Sequence, residues 1–243
     1  MSAQVIHGLN AVREALASGR RVNRVFLAKE SRAKNFQQVV DAARAIQVPF
    51  EFVPQAKINE LTGTQEHQGI AATVSPIDYA TLEACLAQCP PVATLLLLDQ
   101  VQHPRNLGMI IRSASGAGAV GVVLVSRGGA LLDDDVVRAS AGAIFRVPVV
   151  QCGNLSTAIV TLKEAGFWVY GLDAGGTDNL FQTRWPERCA FVLGNETDGI
   201  RPGLRKNCDA LVRIPLANEM DSLNVAVAAA VALFHVSAQH AGK

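Results

Sequence analysis

Apolar and polar positions run along the chain in blocks whose period switches between that of a helix and that of a strand. Up to residue 74 the pattern predicts helices over 9–17, 34–46 and 56–61, and strands over 24–28, 50–53 and 70–74. Apolar residues three and four apart mark the helices; short β-branched or aromatic runs mark the strands. Such alternation predicts a small α/β sandwich. Ser75-Pro76 ends it, and a short helical stretch over 81–88 is closed by Pro90-Pro91, which cannot continue a helix. The breaks predict a front unit over 1–76, a linker over 77–93 and a second unit over 94–243.

Beyond the linker the strands change character. The runs at 95–98, 120–125, 147–150, 167–170, 189–193 and 211–214 are apolar without a polar alternate, as in sheets covered on both faces. Helical patterns fall between them at 107–117, 134–141, 155–165, 202–206 and 222–238, which predicts a mainly parallel sheet with flanking helices. Open parallel sheets hold ligands at the carboxyl ends of their strands, so the chemistry is sought in the loops that follow them.

Three of those loops stand out. After the first strand of the second unit, Pro104 marks a turn and Asn106 is placed to cap a helix that carries Gly108, Arg112, Ser113 and Ser115. Arg112 either neutralises a neighbouring carboxylate, Asp99 or Glu196, or faces a substrate at the strand ends. Next, Gly194-Asn195-Glu196-Thr197-Asp198-Gly199 comes straight off a strand, and its glycines permit close approach of a ligand to the main chain. Last, Ile214-Pro215-Leu216 ends a strand shortly before Ser222-Leu223-Asn224 opens the final helix, with Ser222 as its expected cap. Together these predict a cradle built largely from backbone.

Other chemistries are not supported. No G-x-G-x-x-G follows a strand, and neither a phosphate-loop signature nor a G-x-S-x-G elbow is present. His7, His67 and His103 share no metal-type spacing, and His235 falls on an apolar helix face, where a core role is expected. Five cysteines at irregular spacing read as free thiols rather than metal ligands. With 49% hydrophobic residues over 243 positions, no apolar run long enough to span a bilayer and no basic-then-apolar leader, a cytoplasmic protein that does not enter membranes is expected. The net charge of +1 is unevenly spread: residues 1–76 carry nine Lys or Arg against six Asp or Glu. Arg20, Arg21, Arg24, Lys29, Arg32 and Lys34 lie within fifteen residues opposed only by Glu30, a density that suits either a phosphate backbone or a solvated face.

As a set, Asn106, Gly108 and Arg112, then Gly194, Glu196 and Gly199, then Ile214, Pro215, Ser222, Leu223 and Asn224 resemble the three motifs of the SpoU or TrmH branch of the SPOUT methyltransferases, over residues 94–240. His7-Gly8-Leu9-Asn10-Ala11-Val12 and His67-Gln68-Gly69-Ile70-Ala71 resemble the L30e-like RNA-binding domain that precedes the catalytic domain in such enzymes. The resemblance implies an α/β fold with a trefoil knot, a homodimer whose sites are completed across the interface, and S-adenosylmethionine as cofactor. It implies 2′-O-methylation of RNA, in first place a guanosine of 23S ribosomal RNA; a transfer-RNA 2′-O-methyltransferase and a non-catalytic RNA-binding or assembly module are the alternatives. By carry-over, Gly194, Asn195, Gly199, Ile214, Leu216 and Leu223 would hold the cofactor, and Arg112, Asn106, Glu196, Ser222 and Asn224 would act on the substrate. Arg20, Arg21, Arg24, Arg32 and Arg105 are the candidate RNA contacts. The chain departs from the family pattern at Asn218, where glycine is usual and a left-handed backbone is needed, and at His103, where aspartate usually precedes the proline.

Overall fold

The structure, a computed structural model, describes residues 4–17, 22–29, 36–74, 79–218 and 220–241. Its front part is a four-stranded sheet in the order β1-β4-β2-β3, formed by β1 (Gln4–His7), β2 (Val22–Ala28), β3 (Phe50–Val53) and β4 (Ile70–Val74). Helices α1 (Leu9–Ala17), α2 (Phe36–Ala45) and α3 (Gln55–Thr62) flank it. β4 pairs antiparallel with β1 and β2, whereas β2 and β3 are parallel. The helices α1 and α2 bury Val12, Leu16, Val39 and Ala43 at the spacing their apolar stripes predict. β1 has no counterpart in the sequence reading: four residues are too few to establish a period of two.

After α4 (Leu82–Ala87) the second sheet begins. Its strands are β5 (Ala93–Leu98), β6 (Gly121–Val125), β7 (Val149–Cys152), β8 (Trp168–Leu172), β9 (Asp178–Asn179), β10 (Arg188–Leu193) and β11 (Ala210–Arg213), arranged β7-β6-β5-β10-β8-β11-β9 with every pairing parallel. The six residues of β5 are all buried, as the unbroken apolar runs require of strands sandwiched between helices. Those helices are α5 (Pro104–Gly116), α6 (Asp134–Ala139), α7 (Leu155–Glu164), α8 (Pro202–Arg205) and α9 (Val225–Ala241). The two-residue β9 is too short to leave a sequence signal.

Register decides what the sheet can do. Leu193 of β10 lies opposite both Leu98 of β5 and Leu172 of β8, and Val212 of β11 lies opposite Leu172. Four strands therefore end abreast, and the chain leaves all four at one edge. Behind that edge α5 packs on α9 and on α6. Leu107, Ile110, Ile111 and Ala114 are buried there, each large side chain contributing about 1.5–3 kcal/mol by leaving water. Gly108 permits the close α5–α6 crossing: a Cβ at that position would lie 2.8 Å from the Val136 carbonyl oxygen and 2.9 Å from the Ser140 nitrogen.

Two local expectations are corrected. α5 begins at Pro104, whose missing N–H costs nothing at the first helical position, so Asn106 lies inside the first turn rather than at the cap. At α9 the cap is Asn224, not Ser222: Asn224 Oδ1 accepts hydrogen bonds from the backbone N–H of Ala226 at 2.9 Å and Val227 at 3.4 Å. No helix among the described residues is long and apolar enough to cross a membrane.

Candidate functional site

The abreast strand ends open into a cleft of about 600 Å3. Its walls are the turn 194–199 after β10, Leu172 to Ala174 after β8, Ile214 and Leu216 after β11, and Ser222 to Val225 leading into α9. All six residues expected to hold a cofactor, Gly194, Asn195, Gly199, Ile214, Leu216 and Leu223, line it. The turn is closed by a backbone bond from Asn195 N–H to the Gly199 carbonyl at 3.2 Å, and Asn195 Oδ1 accepts from the N–H groups of Thr197 and Asp198 at 2.9 and 2.6 Å. Gly194 packs against the other limb of this turn so tightly that a Cβ would overlap the Gly199 carbonyl group. The turn at 217–218 holds because Asn218 accepts the left-handed backbone (φ +57°) that the sequence comparison with glycine demanded.

At the rim, three loops are tied by side-chain hydrogen bonds. Asn106 Nδ2 donates to Glu196 Oε1 at 2.8 Å, and Asn224 Nδ2 donates to Asn106 Oδ1 at 3.1 Å. Glu196 also accepts from the backbone N–H groups of Gln102 and His103, both at 3.3 Å, anchoring the segment that leads into α5. Partial burial pushes the Glu196 carboxyl up, but the bonds from Asn106 and the backbone outweigh it and hold the group below the ordinary glutamate value. A carboxyl with a lowered folded pKa stabilises the fold above its unfolded value, near about 4.3, and loses that contribution as pH falls through the folded value. The stability gap between wild type and Glu196→Gln is therefore expected to be full above that range and to close on acidification. Urea unfolding at a series of pH values measures it; a gap independent of pH contradicts the assignment.

Arg112 is not part of this rim within one chain. It lies six residues along α5 from Asn106, about 9 Å further from the strand ends and a third of a turn around. There it lines a second cleft with Arg13 and Arg146. Neither carboxylate considered for it is its partner: Glu196 is held by Asn106, and Asp99 pairs with Arg201. Ser222 faces the first cleft without capping α9. Of the candidate RNA contacts, Arg105 is exposed in the first turn of α5, and Arg24 is half exposed on β2 in an ion pair with Glu51 at 3.4 Å. Arg20, Arg21 and Arg32 lie outside the described residues.

A family model described as the SpoU rRNA Methylase family matches residues 93–234, more than half of the chain. The chain belongs to the SpoU family. A second model, for RNA 2′-O ribose methyltransferase substrate binding, matches residues 5–80. An uncharacterised tRNA/rRNA methyltransferase of Synechocystis sp. is 36% identical over 97% of this chain, which spans 62% of that longer protein. A putative TrmH family tRNA/rRNA methyltransferase of Staphylococcus saprophyticus is 32% identical over 97% of this chain and 96% of its own length. Among solved structures, an AdoMet-bound rRNA methyltransferase from Sinorhizobium meliloti superposes with a TM-score of 0.81 at 27% identity, over 98% of this chain and 87% of that one. The SpoU methyltransferase AviRb from Streptomyces viridochromogenes shares the fold with a TM-score of 0.84 at 23% identity, over 99% and 90% of the two chains.

The SpoU cleft also contains residues that sequence reading passed over. Asp173 and Arg205 line it and pair with each other at 3.3 Å. The signal was there: Asp173 follows the end of β8, an apolar strand of the parallel sheet. Asp99, just after β5, takes a partner other than Arg112. Its side chain is fully buried and accepts from Arg201 Nε at 2.8 Å and from the Arg201 backbone N–H at 3.0 Å, which ties the end of β5 to the exit of the 194–199 turn. Removing one member of the pair is asymmetric, because Arg201 is half exposed and Asp99 is not. Arg201→Ala is expected to destabilise by about 1–3 kcal/mol, more than Asp99→Ala, since it leaves a buried carboxylate without its side-chain donor. Urea midpoints of the two variants test the order.

Proposed function

We propose that this chain transfers the methyl group of S-adenosylmethionine to a ribose 2′-hydroxyl of RNA, with a guanosine of 23S ribosomal RNA as substrate. The observation that carries the reading is the hydrogen-bonded line Asn224–Asn106–Glu196 at the mouth of a cleft walled by backbone. The cleft suits the cofactor. Leu172, Ile214, Leu216 and Leu223 offer an apolar slot for a flat base, Gly194 keeps the main chain accessible, and Asp173, Glu196 and Asp198 face a cationic ligand with only Arg205 opposed. When bound there, the sulfonium supplies a methyl group already activated for transfer to an oxygen nucleophile.

The protein's own task is then alignment and handling of one proton. Asn106 and Asn224 each keep one amide hydrogen unused by the rim bonds, and with Ser222 they position the ribose. Glu196 fixes the orientation of Asn106. Arg112 binds the neighbouring phosphate and polarises the 2′-hydroxyl; its guanidinium stays protonated, so it acts by charge and hydrogen bonding. That role needs Arg112 to reach a site to which its own chain does not bring it. A homodimer provides the route. Met109, one turn from Arg112 on α5, and Val227 on α9, which packs on α5, are apolar side chains at the protein surface, 47% and 43% exposed. Pairing across this surface buries it and presents Arg112 of one protomer to the cleft of its partner. The trefoil knot belongs to the same reading, the segment after β11 being threaded past the 194–199 turn. So does the division of labour, residues 1–76 gripping RNA and 94–243 carrying the transfer.

The test is incorporation of methyl-labelled cofactor into ribosomal RNA and transfer RNA, followed by mass spectrometry of ribosomal RNA from cells with and without the gene. Loss of one ribose methyl mark from 23S RNA supports the reading. Label in transfer RNA alone moves the substrate to that class, and no label in any RNA, with no cofactor binding by calorimetry, leaves an RNA-binding module.

A further inference from the structure

Where the front part meets the second sheet, a cleft of about 510 Å3 lies between α1 and α5, separate from the one at the strand ends. Arg13 and Glu14 come from α1, Arg112 from α5, and Arg146 from the 3₁₀ turn Ala143–Phe145 and its exit. Three guanidinium groups face one carboxylate. Glu14 is largely buried and is gripped by Arg146 through two bonds, Nε at 2.5 Å and Nη2 at 2.6 Å. Arg13 and Arg112 are exposed and form no ion pair with another described residue.

We propose that this junction cleft seats a phosphodiester of the RNA strand, with Arg13 and Arg146 as its ligands and Glu14 as the anion that occupies Arg146 until RNA arrives. The inference rests on the RNA substrate read above and extends it to residues of the chain that do not line the cleft proposed for the methyl donor. A carboxylate bound side-on to a guanidinium presents two oxygens in the geometry a phosphate uses, so the pair marks a place where a phosphate fits. The surplus of two positive charges draws a polyanion into a concave surface, where field lines concentrate. The position matters as well. Arg112 forms part of the same wall, so a phosphate seated here continues a strand whose neighbouring ribose Arg112 addresses. Because the ligands come from both parts of the chain, RNA bound in the cleft also bridges them.

Affinity of the full-length protein for a short single-stranded RNA of mixed sequence, measured at several salt concentrations, tests the site. Arg13→Gln and Arg146→Gln are each expected to weaken binding about three- to tenfold and to lower the slope of log affinity against log salt by about 0.7, as loss of a single phosphate contact on a single strand does. Glu14→Gln is expected to tighten binding several-fold, a gain that a purely structural strut between the two parts would not give. Cofactor affinity by calorimetry is expected to stay at the wild-type value in Arg13→Gln. Arginine variants with unchanged affinity and slope overturn the proposal, as does a Glu14→Gln variant that binds RNA no better than wild type. Arg13 is free of ion pairs to described residues, so its variant remains informative if Arg146→Gln fails to fold. Failure of the methyltransferase reading is distinct: it shows as wild-type protein that binds RNA with the full salt slope yet labels none.

Discussion

Replacing Arg112 with alanine is expected to lower methyl transfer at least about a hundredfold while leaving cofactor affinity near wild type. The split follows from position. The cleft proposed for the methyl donor is lined by residues 172–174, 194–199, 214, 216 and 222–225, none of which lines the second cleft, where Arg112 stands. A guanidinium that stabilises developing charge on the attacking oxygen acts mainly in the transition state, and loss of one such donor costs two to three orders of magnitude in rate. Retained turnover sinks the assignment. A second measurement separates action within a chain from action across a pair: mixing Arg112→Ala with Asn224→Ala protomers is expected to restore activity, because each mixed dimer keeps one site with both residues intact. No recovery means that the arginine serves its own chain's cleft.

Gly194→Ala is expected to be the most damaging single change at the cradle, removing measurable cofactor binding and costing more than about 3 kcal/mol of stability. The added methyl has no flexible neighbour to push aside. It meets the Gly199 carbonyl and the Ile200 nitrogen, both main-chain groups of the same turn, so the two limbs must part. Parting them breaks the Asn195–Gly199 bond and shifts Glu196, which propagates to Asn106 and the start of α5. Thermal unfolding together with calorimetric titration of S-adenosylmethionine checks both halves. A variant with wild-type melting temperature and affinity contradicts the packing described for the turn.

How much of this was readable beforehand differs by level. The parallel sheet was, because β5, β6 and β10 are unbroken apolar runs, and so were most helices, because Leu107, Ile110, Ile111 and Ala114 recur at helical spacing. The cradle was legible too, since glycine, proline and cap residues cluster after strands whose register brings their ends abreast. What could not be read is pairing at a distance. That Asp99 would take Arg201 rather than Arg112 depends on the β5–β10 register, which no local pattern encodes. The cap at α9 was misplaced because Ser222 and Asn224 are both good capping residues two apart, and only the backbone path after β11 selects between them. Arg112 was expected at the strand ends because it shares a helix with Asn106; the pitch of that helix carries it elsewhere.

The strand order has a consequence for biosynthesis. β5 leaves the ribosome long before its neighbour β10, and β8 likewise precedes the strand that joins it to β5. Two half-sheets, one of β7, β6 and β5 and one begun by β8, must keep apolar edges unpaired until residues 188–193 follow and insert between them. Unpaired edges of this kind are prone to intermolecular association, so the nascent chain is most vulnerable just before residues 188–193 emerge.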